Sequence, residues 1–273
     1  MQDAYIENAR REIRRWEAWG PGFLANLGES VLGRFQRPFS VLIPAGVQEA
    51  AGRAIEKSLS GLGVATGLTV SQPRIHRRVH VLFQRTGHRL EAADLAAKHY
   101  RSWHLGAALG EGGAIGAGGW AGLAADIPAL LAISLRLVQH IVVCYGYDIS
   151  RLEEREFVKH VLWTGSAADL KAKTEALSHL KILEGILLKA SRDNLAPDLA
   201  RKEISQRADM PAVRQIARVL GIQITKRKAL QIVPVLGAVV GASFNASFVH
   251  DAGEAAYMSY RRRWIADAEG PDV

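Results

Sequence analysis

The sequence predicts an all-α fold, a multi-helix bundle with two central apolar, glycine-rich helices. Three observations carry the prediction. Apolar residues recur at helical spacing through most of the 273-residue chain. Only Ile222-Gln223-Ile224 has local strand character, and three residues make no sheet. Two long apolar segments, Gly106 to Asp148 and Ala229 to His250, carry small residues at every fourth position. In the first these are Gly106, Gly110, Ala114, Gly118 and Gly122, ending in Asp126; in the second, Gly237, Gly241 and Asn245. On a helix that spacing makes one bare stripe. Glycine costs about 1 kcal/mol relative to alanine in a helix interior. A striped helix must regain that energy, and close backbone contact with a second helix would supply it. A glycine-rich connection between two helices fits the same residues.

The elements follow in order. Tyr5, Ala9, Ile13 and Trp16 mark a first helix, over Asp3 to Trp19, stopped by Gly20-Pro21-Gly22. A short helix over Phe23 to Phe35 and another from Pro38, interrupted by Pro44, come next. Ser58 to Gln72 is uncharged and glycine-rich, a buried helix or a turn-broken segment. Pro73 opens a helix through Gln84 that ends near Gly87. Glu91 to Leu105 is an amphipathic helix feeding the first glycine stripe. Ser150 and Glu153 have capping-box spacing for a helix through Trp163, broken at Thr164-Gly165-Ser166. Ser166 and Asp169 start a longer helix to about Arg192, with Leu170, Leu177, Leu180, Leu183 and Leu187 on its apolar side. Shorter helices are predicted over Asp198 to Arg207 and Pro211 to Leu220. The last long helix runs from Lys226 to about Ala266, with Thr225 as its cap.

These elements predict one compact unit: a helical region over 1–90 packed on a core of 91–268, with a tail at 269–273. The single cysteine, Cys144, excludes an intramolecular disulfide framework and fits a reducing compartment. No basic-then-apolar leader begins the chain, so the expected location is cytoplasmic. Ala229 to His250 has no formally charged residue over 22 positions, long enough for a bilayer core. It also holds Gln231, Pro234, Ser243, Asn245 and Ser247, which favours a buried helix of a soluble core over a spanning one. The net charge of +8 and pI near 9.8 license attraction to phospholipid headgroups or nucleic acid. Local basic clusters lie at Arg10-Arg11 with Arg14-Arg15, at Arg74 to Arg78, at Lys226-Arg227-Lys228 and at Arg261-Arg262-Arg263.

Few constellations suggest chemistry. Arg136, His140, Cys144 and Asp148 fall at four-residue intervals, on one helix face. Cys144 and His140 could form a thiolate–imidazole pair, but a lone cysteine in Ile141-Val142-Val143 sequence reads first as a small buried hydrophobe. Arg136 among Leu and Ile needs a carboxylate or several carbonyls. Asp126, Asp148 and Asp251 are the candidate partners, in a structural ion pair or an anion- or ligand-binding site. His76 and His80 are one turn apart, but Arg77 replaces the general-base glutamate and Arg78 adds a second cation, so no metal site is expected. Gly110-Glu111-Gly112-Gly113 and Gly116-Ala117-Gly118-Gly119 lack the strand and the Lys-Ser/Thr of a phosphate loop, and no cofactor is expected. Pro211 to Leu220 lacks a partner helix at helix-turn-helix spacing, which makes nucleic acid an unlikely partner.

The stretch Gly112-Gly113 … Gly118-Gly119 … Ala125-Asp126-Ile127-Pro128-Ala129-Leu130-Leu131 … Arg136 … Tyr145-Gly146-Tyr147-Asp148 … Arg155 resembles the core motif of the EcsC family. Lys226-Arg227-Lys228 … Val233-Pro234-Val235-Leu236-Gly237 … Gly241 … Asn245 … Asp251, ending in Arg261-Arg262, resembles its C-terminal block. The family takes its name from a protein encoded beside the two components of a bacterial ABC transporter. The resemblance implies a bacterial helical protein working near the cytoplasmic face of the membrane. It supplies motif positions without roles: Asp126, Pro128, Arg136, Tyr145, Asp148, Arg227, Pro234 and Asn245.

Two functional expectations follow. The first is a non-enzymatic accessory protein whose partner is an anionic membrane surface or a membrane transporter complex. The second is a small-molecule or lipid binder, or an enzyme, with a pocket between the apolar helices. Its polar core would be drawn from Asp126, Arg136, Asp148, Asn245 and Asp251.

Overall fold

The computed structural model describes residues 2–19, 55, 59, 67, 69–115, 119–167, 169–192, 212, 215, 216 and 234–269; for 2–3, 109–115, 119–127, 190–192 and 234–244 it describes the backbone alone. Seven helices longer than one turn lie among these residues, and no strand: α1 (Gln2–Ala18), α2 (Gln72–Thr86), α3 (Arg89–Ile115), α4 (Gly119–Cys144), α5 (Leu152–Gly165), α6 (Leu170–Arg192) and α7 (Pro234–Glu269). The expected helices over Phe23 to Phe35, from Pro38, over Asp198 to Arg207 and over Pro211 to Leu220, most of Ser58 to Gln72, and the Thr225 cap fall largely or wholly outside the described residues.

The last helix is the axis of the bundle. α7 packs most extensively on α3 and then on α4 and α5; α1 also lies against it, and α2 covers α3 and α4. Core side chains come from every helix, including Ile13, Ile75, Leu90, Leu131, Val138, Phe157, Trp163, Leu180, Phe248 and Tyr260. Local sequence explains most boundaries. Pro73 stands in the first turn of α2, and Gly87 ends it at φ +68°. Gly146 adopts φ +88° just after α4.

Three expectations are corrected. The stripe from Gly106 to Asp126 does not run along one helix. α3 ends at Ile115 and α4 begins at Gly119, so Gly106 and Asp126 belong to two helices packed on each other. Gly106 needs no close partner, because a Cβ there meets nothing within 4 Å. Close backbone contact occurs elsewhere. A Cβ on Gly165, at the end of α5, would lie 2.7 Å from Ala252 Cα and 2.8 Å from the Asp251 carbonyl oxygen of α7.

Neither expected cap forms as written. The Ser150 hydroxyl donates to Asp148 Oδ2 at 2.8 Å, and α5 starts at Leu152 with no side-chain cap. Asp148 thus takes the Ser150 amide from which the Glu153 carboxylate would have accepted. Asp169 caps α6, accepting from the Ala172 amide at 2.8 Å, while Ser166 donates back to the Trp163 carbonyl. Finally, Asp148 leaves the Arg136 face, since α4 stops at Cys144 and the chain turns before it.

Candidate functional site

The expected polar core does not converge among the described atoms. Arg136 is half-buried; its Nη2 donates to the Thr69 carbonyl at 3.4 Å, and its buried Nε has no acceptor. Among the described residues no carboxylate reaches it. Asp148 is engaged at the surface, accepting from the Ser150 amide at 2.9 Å and Gln72 Nε2 at 3.2 Å. The Ser150 amide and hydroxyl hold its carboxyl below the ordinary range. Asp251 is buried, 3.1 Å from His250 Nδ1, and Asn245 is buried on the same helix. The side chain of Asp126 lies outside the description.

His140 and Cys144 are no nucleophilic pair. His140 Nδ1 donates to the Arg136 carbonyl at 2.7 Å, which places the proton of the neutral ring on that nitrogen. His104 Nε2 lies 3.4 Å away. Burial, the His140 ring and the Arg136 charge push His104 down to about 3. Burial also depresses His140 and raises the Cys144 thiol far above its usual range. Both imidazoles are neutral and the sulfur stays protonated. Among the described residues no group of three or more His, Cys, Asp or Glu could hold a metal ion.

The organised polar chemistry sits around Arg261 and Arg262, which end the C-terminal motif block, and Arg263, none of them among the expected site residues. Arg261, Arg262 and Arg263 are consecutive on α7, so successive side chains leave the helix about 100° apart. Each meets a different neighbour. Arg261 pairs with Asp94 of α3 at 2.8 Å and with Glu12 of α1. Arg262 binds Glu17 of α1 and Glu184 of α6. Arg263 takes Glu154 of α5 at 2.9 Å, with its guanidinium 4.0 Å from the Tyr147 ring centre. Asp94 is fully buried and also accepts from Tyr5 at 2.7 Å and Tyr145 at 2.6 Å. Burial raises its carboxyl, and the Arg261 charge and the tyrosine hydroxyls offset only part of that. Burial pushes Glu12 up too, but there Arg261 prevails and holds it low. Lys173 of α6 donates to the Trp16 carbonyl and, at 3.1 Å, to the Trp19 carbonyl, neutralising the C-terminal end of α1.

This corrects the reading of the C-terminal basic cluster as a surface feature: its cations are internal ties. Asp94 was legible by the argument used for Arg136, a lone charge amid Ala92, Ala93, Ala96 and Ala97.

Exposed cations without an ion pair among the described residues include Arg11, Arg14 and Arg15 of α1 and a set on α2. Arg74, Arg77, Arg78 and Arg85 are exposed and in no ion pair among the described residues. No Asp or Glu occurs between Glu56 and Glu91. Val81 stands among these arginines, 57% exposed. No described helix is long and apolar enough to cross a membrane.

Fold and site together define an all-α protein with an arginine-tied core and an acid-free basic outer helix. The chain belongs to the EcsC protein family, which it matches over residues 7–265. It is 36% identical over 163 residues to a Bacillus subtilis (strain 168) protein described as uncharacterized protein YdbA, an alignment covering 59% of this chain. The chain spans about half the length of that relative, 54%. No solved structure matches it.

Proposed function

We propose that the protein is a non-enzymatic accessory protein that docks on an anionic membrane surface through the outer face of α2. The observation that carries this reading is the exposed arginine set of α2, with no carboxylate in the sequence from Lys57 to Leu90. Each basic side chain close to an anionic leaflet contributes about 1 kcal/mol. Four together give useful affinity without any inserted helix. A cytoplasmic location, and a transporter complex as the neighbour on that surface, extend this reading along the family resemblance.

The test is flotation with vesicles of phosphatidylcholine, with and without phosphatidylglycerol, across a salt series. Binding only to the anionic vesicles, lost at high salt and in Arg74→Glu/Arg77→Glu, is the expected result. Equal flotation of the variant and the wild type would reject α2 as the docking face.

A second reading, a bound anionic small molecule or lipid, rests on Arg136 and its partnerless Nε. Native mass spectrometry of the purified protein tests it. A bound mass that disappears in Arg136→Met supports this reading, and an empty wild type removes it.

A further inference from the structure

We propose that Trp103 is the apolar anchor of the α2 face, its indole entering the interfacial layer of an anionic bilayer while the neighbouring arginines engage lipid phosphates. This rests on the preceding reading of α2 as the membrane-facing surface.

Trp103 is 54% exposed, a large apolar area to leave in water. It is tied to the basic helix by a chain of ring contacts. The Arg78 guanidinium of α2 lies 5.9 Å from the centre of the Tyr100 ring of α3. That ring is 4.5 Å from His140 of α4, and His140 is 6.2 Å from Trp103. Trp103 also packs edge-on against His104 at 4.7 Å. Both histidines are buried, and the bond from His140 Nδ1 to the Arg136 carbonyl fixes one of them in place. The indole is therefore held outward on a packed support and has no need to rearrange before contact.

Val81 repeats the theme on α2. It lies one turn from both Arg77 and Arg85 and is more than half exposed. Arginines flanking an exposed apolar group, as Arg77 and Arg85 flank Val81, match a layer where phosphates lie directly above acyl chains. Tryptophan favours that depth, and arginine bridges it with an apolar stem and a charged head. An acidic protein or a nucleic acid would satisfy the arginines but offers no continuous apolar phase to Val81 and Trp103.

The test uses the full chain and phosphatidylcholine–phosphatidylglycerol vesicles whose acyl chains carry bromine, a short-range quencher of indole fluorescence. Quenching of the wild type should fall clearly in Trp103→Phe. It should persist in Trp19→Phe, which alters the 78%-exposed tryptophan after α1. Trp103→Ala should weaken vesicle binding by roughly threefold to tenfold, the scale of one exposed aromatic side chain transferred from water. Unaltered quenching in Trp103→Phe, or loss confined to Trp19→Phe, overturns the anchor while leaving charge-dependent docking intact. Failure of the wild type to bind any anionic vesicle overturns the underlying reading as well. Preferential binding to single-stranded RNA, with Trp103 quenched by the bases, would assign the face to a different partner and overturn the proposal.

Discussion

Gly165→Ala probes the tightest approach of a glycine to a neighbouring backbone among the described residues. Its added methyl would stand 2.7 Å from Ala252 Cα, 2.8 Å from the Asp251 oxygen and 2.9 Å from the Ala252 nitrogen, where ordinary contact needs 3.4–4 Å. All three are backbone atoms, so no rotamer change can yield. α5 must withdraw from α7 by the better part of an ångström. That strains the Glu154 bonds to Arg263 and Tyr260, which cross the same interface. Overpacking of this kind costs about 1–3 kcal/mol, sometimes more, against a gain of up to about 1 kcal/mol from replacing a helical glycine. A net loss of about 2 kcal/mol is expected, lowering the melting temperature by roughly 4–8 °C for a chain of this size. The companion is Gly106→Ala. That position is exposed, within α3 and open around its Cβ, so it should gain about 0.5–1 kcal/mol. Thermal and urea unfolding followed by far-ultraviolet circular dichroism measures both. A neutral Gly165→Ala with a destabilised Gly106→Ala would refute the reasoning and restore the Gly106 stripe as the packing seam.

Further outcomes follow from the interior. Arg261→Met leaves Asp94 buried without its cation and should cost about 3–5 kcal/mol by urea unfolding, whereas Arg77→Met on the α2 surface should stay within about 0.5 kcal/mol. Acidification should destabilise the protein from about pH 6.5 downward, before carboxylates titrate. The unfolded chain takes up protons there, while burial keeps folded His104 (about 3) and His160 (about 4) neutral. Each can contribute up to about 1.4 kcal/mol per pH unit in that window. His250, raised by its bond to Asp251, acts in the opposite sense, adding stability at low pH that is lost as pH rises through its folded value. A His104→Gln/His160→Gln variant should show a flatter stability–pH curve between pH 6 and 5, roughly the window separating these groups from carboxylates. Cys144 should resist alkylation by iodoacetamide in the folded protein and react once unfolded in urea, as a buried, protonated thiol must.

The helices were legible where one physical rule acts alone. Tyr5, Ala9, Ile13 and Trp16 announce α1 because burial follows periodicity, and Pro73 and Gly87 bracket α2 because their backbones leave little choice. Caps were harder, because Ser150 had two partners within reach and only geometry shows that Asp148 takes it. The glycine stripe misled for a similar reason. Four-residue spacing specifies a face only if the helix continues, and nothing local reveals that positions 106 and 126 fall on two helices packed against each other. The site was the least legible part. Arg136 and Asp94 carry the same signal, a charge amid apolar neighbours, yet one meets a backbone carbonyl and the other a guanidinium 167 positions along the chain. Arg261 to Arg263 read as a basic patch because their carboxylates come from four different helices.

Neutralisation at those arginines has a consequence at long range. With the C-terminal guanidinium groups matched by acids in the interior, the unpaired arginines of the helix at 72–86 contribute an outward positive field on that side. A molecule so polarised experiences a torque near a negatively charged plane and turns that side forward before touching it. The alignment fades over a Debye length, about 8 Å at physiological ionic strength. Productive encounters should therefore become rarer in concentrated salt even for collisions that still occur.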